Sequence, residues 1–381
     1  MKKYRLADVA DIYSGATPLT KNRRYYENGR IAWITPKDLS GYAHKYIYSG
    51  KRNITEEGYE SCAAHLLPKG AVLFSSRAPI GYVAIAGNEL CTNQGFKSFV
   101  CREKLLFHEY LYYYLLRNRE KIEALGNGST FKEVSRKILA DYEIELPPLD
   151  AQKKVVKELV MLDEKYEDNC GILTNLEKMM ESLYCKFFEN PEEKYNKVPI
   201  AELVEIVTGG TPSTQNDSYW NKGIYDWYTP TDVTTTAAML TLSAEKKISV
   251  SGLANSGTKL IPANSVIMTS RATIGEAVIN LKEATTNQGI LSLVPKGTKA
   301  NALQIYFWVK RNKQWIASIA NGSTFKEIYK KDLEKLLIPV QEEALLLFDA
   351  RTKKLFELYE SFVKENTIIF ELKEKLLAAR F

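Results

Sequence analysis

The sequence predicts an α+β chain in which two tandem globular α/β domains are separated by long α-helices. The helices are expected to pair as an antiparallel coiled coil with pseudo-two-fold symmetry. Three observations lead there. Short motifs occur twice at a constant offset of 194 residues. Each copy carries strand-like apolar runs and one helical segment. Each is followed by about 40 residues of heptad-like periodicity.

The offset is constant. NGSTFKE stands at Asn127–Glu133 and again at Asn321–Glu327. Gly15 with Thr17-Pro18 recurs as Gly209 with Thr211-Pro212. Trp33, Thr35-Pro36 and Asp38 recur as Trp227, Thr229-Pro230 and Asp232. Ser76-Arg77-Ala78 recurs as Ser270-Arg271-Ala272, and Thr92-Asn93-Gln94-Gly95 as Thr286-Asn287-Gln288-Gly289. A solenoid unit runs about 20–50 residues, so a period of this length marks a duplicated domain. The boundaries that follow are 1–147 for the first domain, 148–190 for a central spacer helix, 191–339 for the second domain and 340–381 for a C-terminal spacer helix.

Within each copy, Gly- and Pro-bounded apolar runs read as strands. They are Ile31–Thr35, Ala71–Ser75, Gly81–Ile85 and Gly95–Val100, then Ile224–Tyr228, Ser265–Thr269, Glu276–Ile279 and Gly289–Val294. A helix fits Phe107–Leu125 and its counterpart Leu303–Ile319. In NGSTFKE, Thr130 or Thr324 reads as a helix N-cap, closed by Glu133 or Glu327 in a capping box. Exposed Lys132 and Lys326 there could also reach a phosphate.

EIELPPL then ends a short strand, and Asp150 can cap a helix reaching about Glu189. Its apolar stripe includes Leu159, Leu162, Tyr166, Leu173, Leu176, Met180, Leu183 and Phe187, broken at Asn169. The C-terminal helix repeats the spacing with Phe356, Tyr359, Val363, Phe370 and Leu377, broken at Asn366 and Lys373. Such stripes need a partner, and pairing the two helices supplies one. Asn169 and Asn366 are expected to meet across the seam and set its register.

Composition narrows the function. The formal charge is +6, and residues 1–147 hold 22 Lys/Arg against 16 Asp/Glu, so the whole excess lies there. Lys21–Arg52 alone holds eight basic residues, five tyrosines and Trp33. Basic side chains interleaved with aromatics suit a phosphate backbone with bases nearby. No apolar run approaches the ~18 residues of a membrane span, and the polar start argues against a secretory signal. A cytoplasmic protein is expected. Five irregularly spaced cysteines suggest free thiols, and no metal site is expected. No Walker A motif and no Asn/Asp-Pro-Pro-aromatic motif occurs. All three histidines (His44, His65, His108) fall in the first copy. No catalytic residues are assigned, and catalysis in trans is the natural reading.

Taken in order, GATP/GGTP, WITPKD/WYTPTD, SSRAPIG/TSRATIG, TNQG/TNQG, NGSTFKE and an IELPPLDAQ-like helix entry resemble the specificity (S) subunit of Type I restriction–modification systems. The resemblance covers essentially all 381 residues. The second copy departs at its helix entry, which reads LIPVQEEA. The resemblance implies two target-recognition domains reading a bipartite double-stranded DNA sequence, one half-site each. It implies spacers that dock two copies of a modification subunit using S-adenosylmethionine to methylate adenine at N6. A restriction/translocase subunit using ATP and Mg joins in many systems. No cofactor is expected on this chain.

Candidate DNA contacts divide into shared and divergent sets. The shared set is Thr17, Asp38, Ser76, Arg77, Asn93, Gln94 and Lys132, with Thr211, Asp232, Ser270, Arg271, Asn287, Gln288 and Lys326. Being common to both copies, these suit backbone contact or folding more than base reading, although Asn and Gln can pair bidentately with adenine. The divergent set is Lys21, Arg23, Lys37, Lys45 and Tyr46, with His44, Tyr48 and Lys51 nearby, against Thr231, Thr234 and Thr235, with Thr236 and Thr241. Charge and stacking dominate the first, hydroxyls and methyls the second. Different half-sites follow, with weaker, less salt-dependent binding by the second domain. A protein-interaction scaffold and a self-sufficient DNA-acting enzyme remain the alternatives.

Overall fold

The computed structural model describes residues 2–127, 132–322 and 326–381. The chain divides into two compact units, Met1–Asp168 with Ile368–Phe381, and Asn169–Thr367. Both are built the same way.

In the first unit a five-stranded sheet has the order Ala10–Ser14, Phe96–Cys101, Val72–Ser76, Ile80–Ala86, Tyr46–Ile47. Neighbours are antiparallel except the last pair, which is parallel. A three-stranded sheet (Arg52–Ile54, Ile31–Ile34, Cys91–Thr92) lies over one face. The helix His108–Arg117 covers the other. Side chains alternate across a strand, so Val72 and Phe74 face the helix side while Leu73 joins Ala84, Phe96 and Ile34 on the other. With both faces covered, Val72–Ser76 is buried throughout. That is why Ala71–Phe74 reads as an apolar run without polar alternation.

The second unit repeats this with Val204–Thr208, Ile290–Pro295, Val266–Thr269, Ala277–Asn280 and Leu240–Thr241 in one sheet, and Lys246–Ile248, Tyr225–Tyr228 and Ala284–Thr286 in the other. Again Val266 and Met268 face one cluster and Ile267 the other. Each unit also carries a two-stranded ribbon, Lys2–Arg5 with Glu143–Leu146 and Asn196–Pro199 with Leu337–Val340. No pattern in the sequence signals these pairings. The predicted helix Phe107–Leu125 is divided at Asn118 into His108–Arg117 and Arg119–Ala124. Its counterpart, Ala302–Ser318, is continuous.

Two long helices follow the ribbons, Leu149–Phe188 and Glu342–Arg380. In the first unit their segments run antiparallel. Leu159 and Leu377 share one core, Asp163 accepts from Lys373 at 2.5 Å, and Glu158 pairs with Arg380. In the second unit Leu173, Leu176, Met180, Tyr359 and Val363 share a core, again antiparallel. There the Asn169 side chain, fully buried, donates to Asn366 Oδ1 and to Glu365 Oε2, both at 2.9 Å. Leu162, Tyr166 and Phe356 are half-buried.

Three stripe assignments need correcting. Phe370 is 63% exposed, and Ile369 takes the buried position instead. Beyond Met180, Tyr184 and Phe188 are buried and Leu183 and Phe187 only partly so. The reason is the partner surface. Tyr184 and Phe188 pack on Phe348, and Tyr184 also on Phe307 of the globular domain. A helix facing a broad surface follows its own 3.6-residue period rather than the 3.5-residue seam. No helix among the described residues is long and apolar enough to cross a membrane.

Candidate nucleic-acid interface

The shared motifs meet in one loop cluster per domain. Gly15 comes so near the 92–93 turn that a Cβ there would lie 2.1 Å from Asn93 O; at Gly209 the distance to Asn287 O is 2.0 Å. Only glycine allows that approach. The next loop residue bonds the turn, Ala16 N to Thr92 O at 3.0 Å and Gly210 N to Thr286 O at 2.9 Å. The indole N–H of Trp33 donates back to Ala16 O, and that of Trp227 to Gly210 O.

The turn itself is fixed on three sides. Asn93 N donates to Ile34 O, and Asn287 N to Tyr228 O. Their side-chain oxygens accept from Gly95 N at 2.9 Å and Gly289 N at 2.8 Å. Ser76 N donates to Gly95 O at 2.7 Å, and Ser270 N to Gly289 O at 2.9 Å. Val134 N and Ile328 N then bond Ser76 O and Ser270 O. NGSTFKE is thereby tied into the cluster through the residue that follows it.

The exposed members can now be separated from the structural ones. Gln94 and Gln288 are exposed, and the hydroxyls of Thr17 and Thr211 bond their Oε1 atoms. This orients each carboxamide outward. Arg77 and Arg271 are half-exposed beside Glu133 and Glu327. Lys132 and Lys326 are exposed. Thr130 and Thr324, read as N-caps, lie outside the described residues. The helices that follow begin at Arg136, capped by Ser135, and at Lys330. Glu133 and Glu327 sit instead in β-bridges, to Arg77 and Asn127 and to Arg271 and Asn321.

Several candidates are not available to a ligand. Ser76 and Ser270 are buried. Asp38 Oδ2 accepts from Thr35 N at 2.8 Å and Oγ1 at 2.6 Å, and its Oδ1 accepts from Lys51 N at 2.9 Å. Asp232 does the same with Thr229 and Glu245 N. These aspartates clasp a cap turn to the following loop. Asn93 and Asn287 are similarly occupied by their own turns. Lys45 is only 3% exposed and donates to Glu109 at 3.0 Å, and Tyr46 donates to the same oxygen at 2.6 Å. Burial and that hydrogen bond push the Tyr46 phenol well above its ordinary pKa. In sequence, Lys and Tyr beside His44 look like a surface patch; here they fill the space between a short strand and a helix. His44 Nδ1 lies 2.6 Å from Glu167 of the long helix.

Lys21, Arg23, Lys37 and Lys51 are exposed in the first domain. Thr231, Thr234 and Thr235 are exposed in the second, the last two with hydroxyls turned to Thr231 O. Arg52, not singled out in the sequence, lies 3.9 Å from the Tyr26 ring centre, an arrangement that holds a guanidinium flat and exposed. Lys97 was also missed, because a lysine inside a strand pattern reads as an outward residue.

Comparison with known proteins places this geometry. The model of the Type I restriction modification DNA specificity domain matches residues 1–178 and 192–342. The MjaIX specificity subunit of Methanocaldococcus jannaschii is 39% identical over 201 residues, 50% of this chain and 46% of that protein. The chain therefore spans less than half the length of that relative. The HindI specificity subunit of Haemophilus influenzae is 21% identical over 99% of this chain and 97% of its own. The crystal structure of the S subunit from M. genitalium superposes with a TM-score of 0.58 at 14% identity, covering 100% of this chain and 96% of that one, which establishes the shared fold. With the family model matching most of its length in two segments, the chain belongs to the Type I restriction modification DNA specificity domain family.

Proposed function

We propose that the chain reads a bipartite double-stranded DNA sequence, one half-site per globular domain, as the specificity subunit of a Type I restriction–modification complex. It is itself non-catalytic. Its long helices dock two copies of an S-adenosylmethionine-dependent adenine-N6 methyltransferase subunit. An ATP- and Mg-using restriction/translocase subunit joins that assembly in the cytoplasm.

One observation carries the reading. The same loop cluster is built twice, with Gln94 or Gln288 and Arg77 or Arg271 at its surface, while the adjoining loops differ. Residues 37–52 present Lys37, Lys51 and Arg52; residues 231–246 present three exposed threonines and Glu245, keeping a cation only in Lys246, at the position of Arg52. A common cradle for the DNA backbone with divergent base-facing loops suits a reader of two unlike half-sites.

Single-molecule methylome sequencing of a host with and without the gene tests this. Loss of N6-methyladenine from one split motif is expected. An unchanged methylome while the methyltransferase subunit is expressed overturns the proposal and favours a protein scaffold. Scrambling each half of that motif in turn should lower the salt dependence of binding more for the half read by the first domain.

A further inference from the structure

The two loop clusters differ in one buried charge. In the first domain Lys97, on the strand Phe96–Cys101, places Nζ 3.1 Å from Glu133 Oε1 and 3.4 Å from Ser76 Oγ, with its side chain only 8% exposed. Arg77 Nη1 stands 3.6 Å from the other oxygen of Glu133. In the second domain the position equivalent to Lys97 is Leu291, part of the apolar core. Glu327 there has Arg271, at 3.9 Å, as its cation. Ser270 Oγ has no hydrogen-bond partner among the described residues.

The arithmetic of charge differs accordingly. Two cations and one carboxylate leave the first cluster with +1, while the second is neutral. A buried lysine cannot be left unpaired without a large penalty, so Lys97 holds Glu133 in place. At 3.6 Å and 3.9 Å neither arginine hydrogen-bonds its glutamate, so the two clusters differ in what remains beside the carboxylate once the arginine turns away. Arg77 can turn to a phosphate and leave behind a carboxylate that is still neutralised. Arg271 cannot do so without stranding Glu327.

We propose that Lys97 is a positioning residue that satisfies Glu133 and so releases Arg77 for a DNA phosphate, giving the first domain a phosphate contact that the second lacks. This rests on the DNA-reading function proposed above. One identical Arg–Glu motif then gives the two domains unequal grip.

The test uses the full chain and a fluorescent duplex carrying the split motif found by methylome sequencing. Affinity is followed across a salt series. Lys97→Leu, which copies the second domain, should weaken binding about tenfold, the loss expected for one charged hydrogen bond. It should also flatten the salt slope by about 0.9, the value for one phosphate contact. Arg77→Ala should do the same, and the double variant should be no worse than either single one. Adding Glu133→Gln to Lys97→Leu should restore both affinity and slope, which a merely structural role for Lys97 would not allow. Glu327→Gln should strengthen binding and steepen the slope by about the same amount. An unchanged slope in Lys97→Leu, additive losses with Arg77→Ala, or no rescue by Glu133→Gln overturns the proposal. Should Lys97→Leu not fold, Glu327→Gln decides alone, and an unchanged slope there overturns it. Wild-type protein that shows no salt-dependent binding to the duplex sinks the DNA-reading function, and the proposal with it.

Discussion

Ala272 adopts φ 62°, in the left-handed region, directly after Arg271, and Ala78 adopts φ 49° directly after Arg77. A Cβ in that region costs roughly 1–2 kcal/mol. Both domains hold their arginine on a strained turn. Ala272→Gly should therefore raise stability by up to about 1 kcal/mol in urea denaturation, since the relief outweighs glycine's added freedom in the unfolded chain. A loss of stability would show that the Ala272 methyl packs favourably enough to offset the strain. His108 offers a pH-dependent case. Burial above all, with Lys45 helping, holds its imidazole below the ordinary 6.5 against the pull of Glu109 and Glu103. A depressed folded pKa means that the unfolded chain binds the extra proton first, so stability falls as pH drops below 6.5. His108→Gln should flatten that decline when urea midpoints are compared at neutral pH and about one unit below the imidazole's ordinary value. An equal decline in both proteins would place the acid sensitivity elsewhere.

Elements bring contacts that no single residue announces. The buried Asn169 meets Asn366 inside the second unit, in a seam otherwise made of Leu173, Leu176, Tyr359 and Val363. Asn169→Leu leaves Asn366 without that partner, and the reverse substitution leaves Asn169 buried and short of one. The two changes should couple by about 1 kcal/mol in a double-mutant cycle, and independent effects would remove the pairing as a register device. A second case joins the strand Tyr46–Ile47 to the helix His108–Arg117 through Lys45, Tyr46 and Glu109. At the equivalent positions the second domain has Met239, Leu240 and Leu303, all buried. Glu109→Leu alone strands the buried Lys45 and should cost about 3–5 kcal/mol. Converting all three to Met, Leu and Leu should be neutral or stabilising by about 1–4 kcal/mol. Calorimetry on the single and triple variants separates these outcomes, and a triple variant as unstable as the single one would refute the compensation.

At the scale of the whole chain, the duplication was the most legible feature, because identical backbone constraints demand identical residues. Gly15 and Gly209 and the two Asn turns were readable for that reason, whereas Asp38 and Asp232, read as candidate DNA contacts, close cap turns instead. The long helices were legible from their periodicity, yet the buried face slipped from Phe370 to Ile369, because heptad counting ignores the globular surface beside the seam. The site was less legible. Lys45 and Lys97 carry charges that local sequence assigns to solvent, and only their partners, Glu109 and Glu133, explain their burial. Sequence distance hid both pairs. If the chain binds the split motif, a hundredfold excess of that duplex over its Kd should add about 2.7 kcal/mol to the stability of the whole protein. A scrambled duplex that stabilises it equally would mean that binding carries no sequence reading.

The two versions of the buried trio also constrain how the halves drifted apart. Both domains descend from one sequence, yet one holds Lys45, Tyr46 and Glu109 where the other holds Met239, Leu240 and Leu303. Replacing these one at a time passes through a chain with a lone charge in its interior, unstable by about as much as a small domain can lose. Divergence at this spot had to cross a barrier, and a descendant on either side has little chance of stepping back. The molecule preserves both banks of that crossing, so the path between them can be walked with six variants of a single gene.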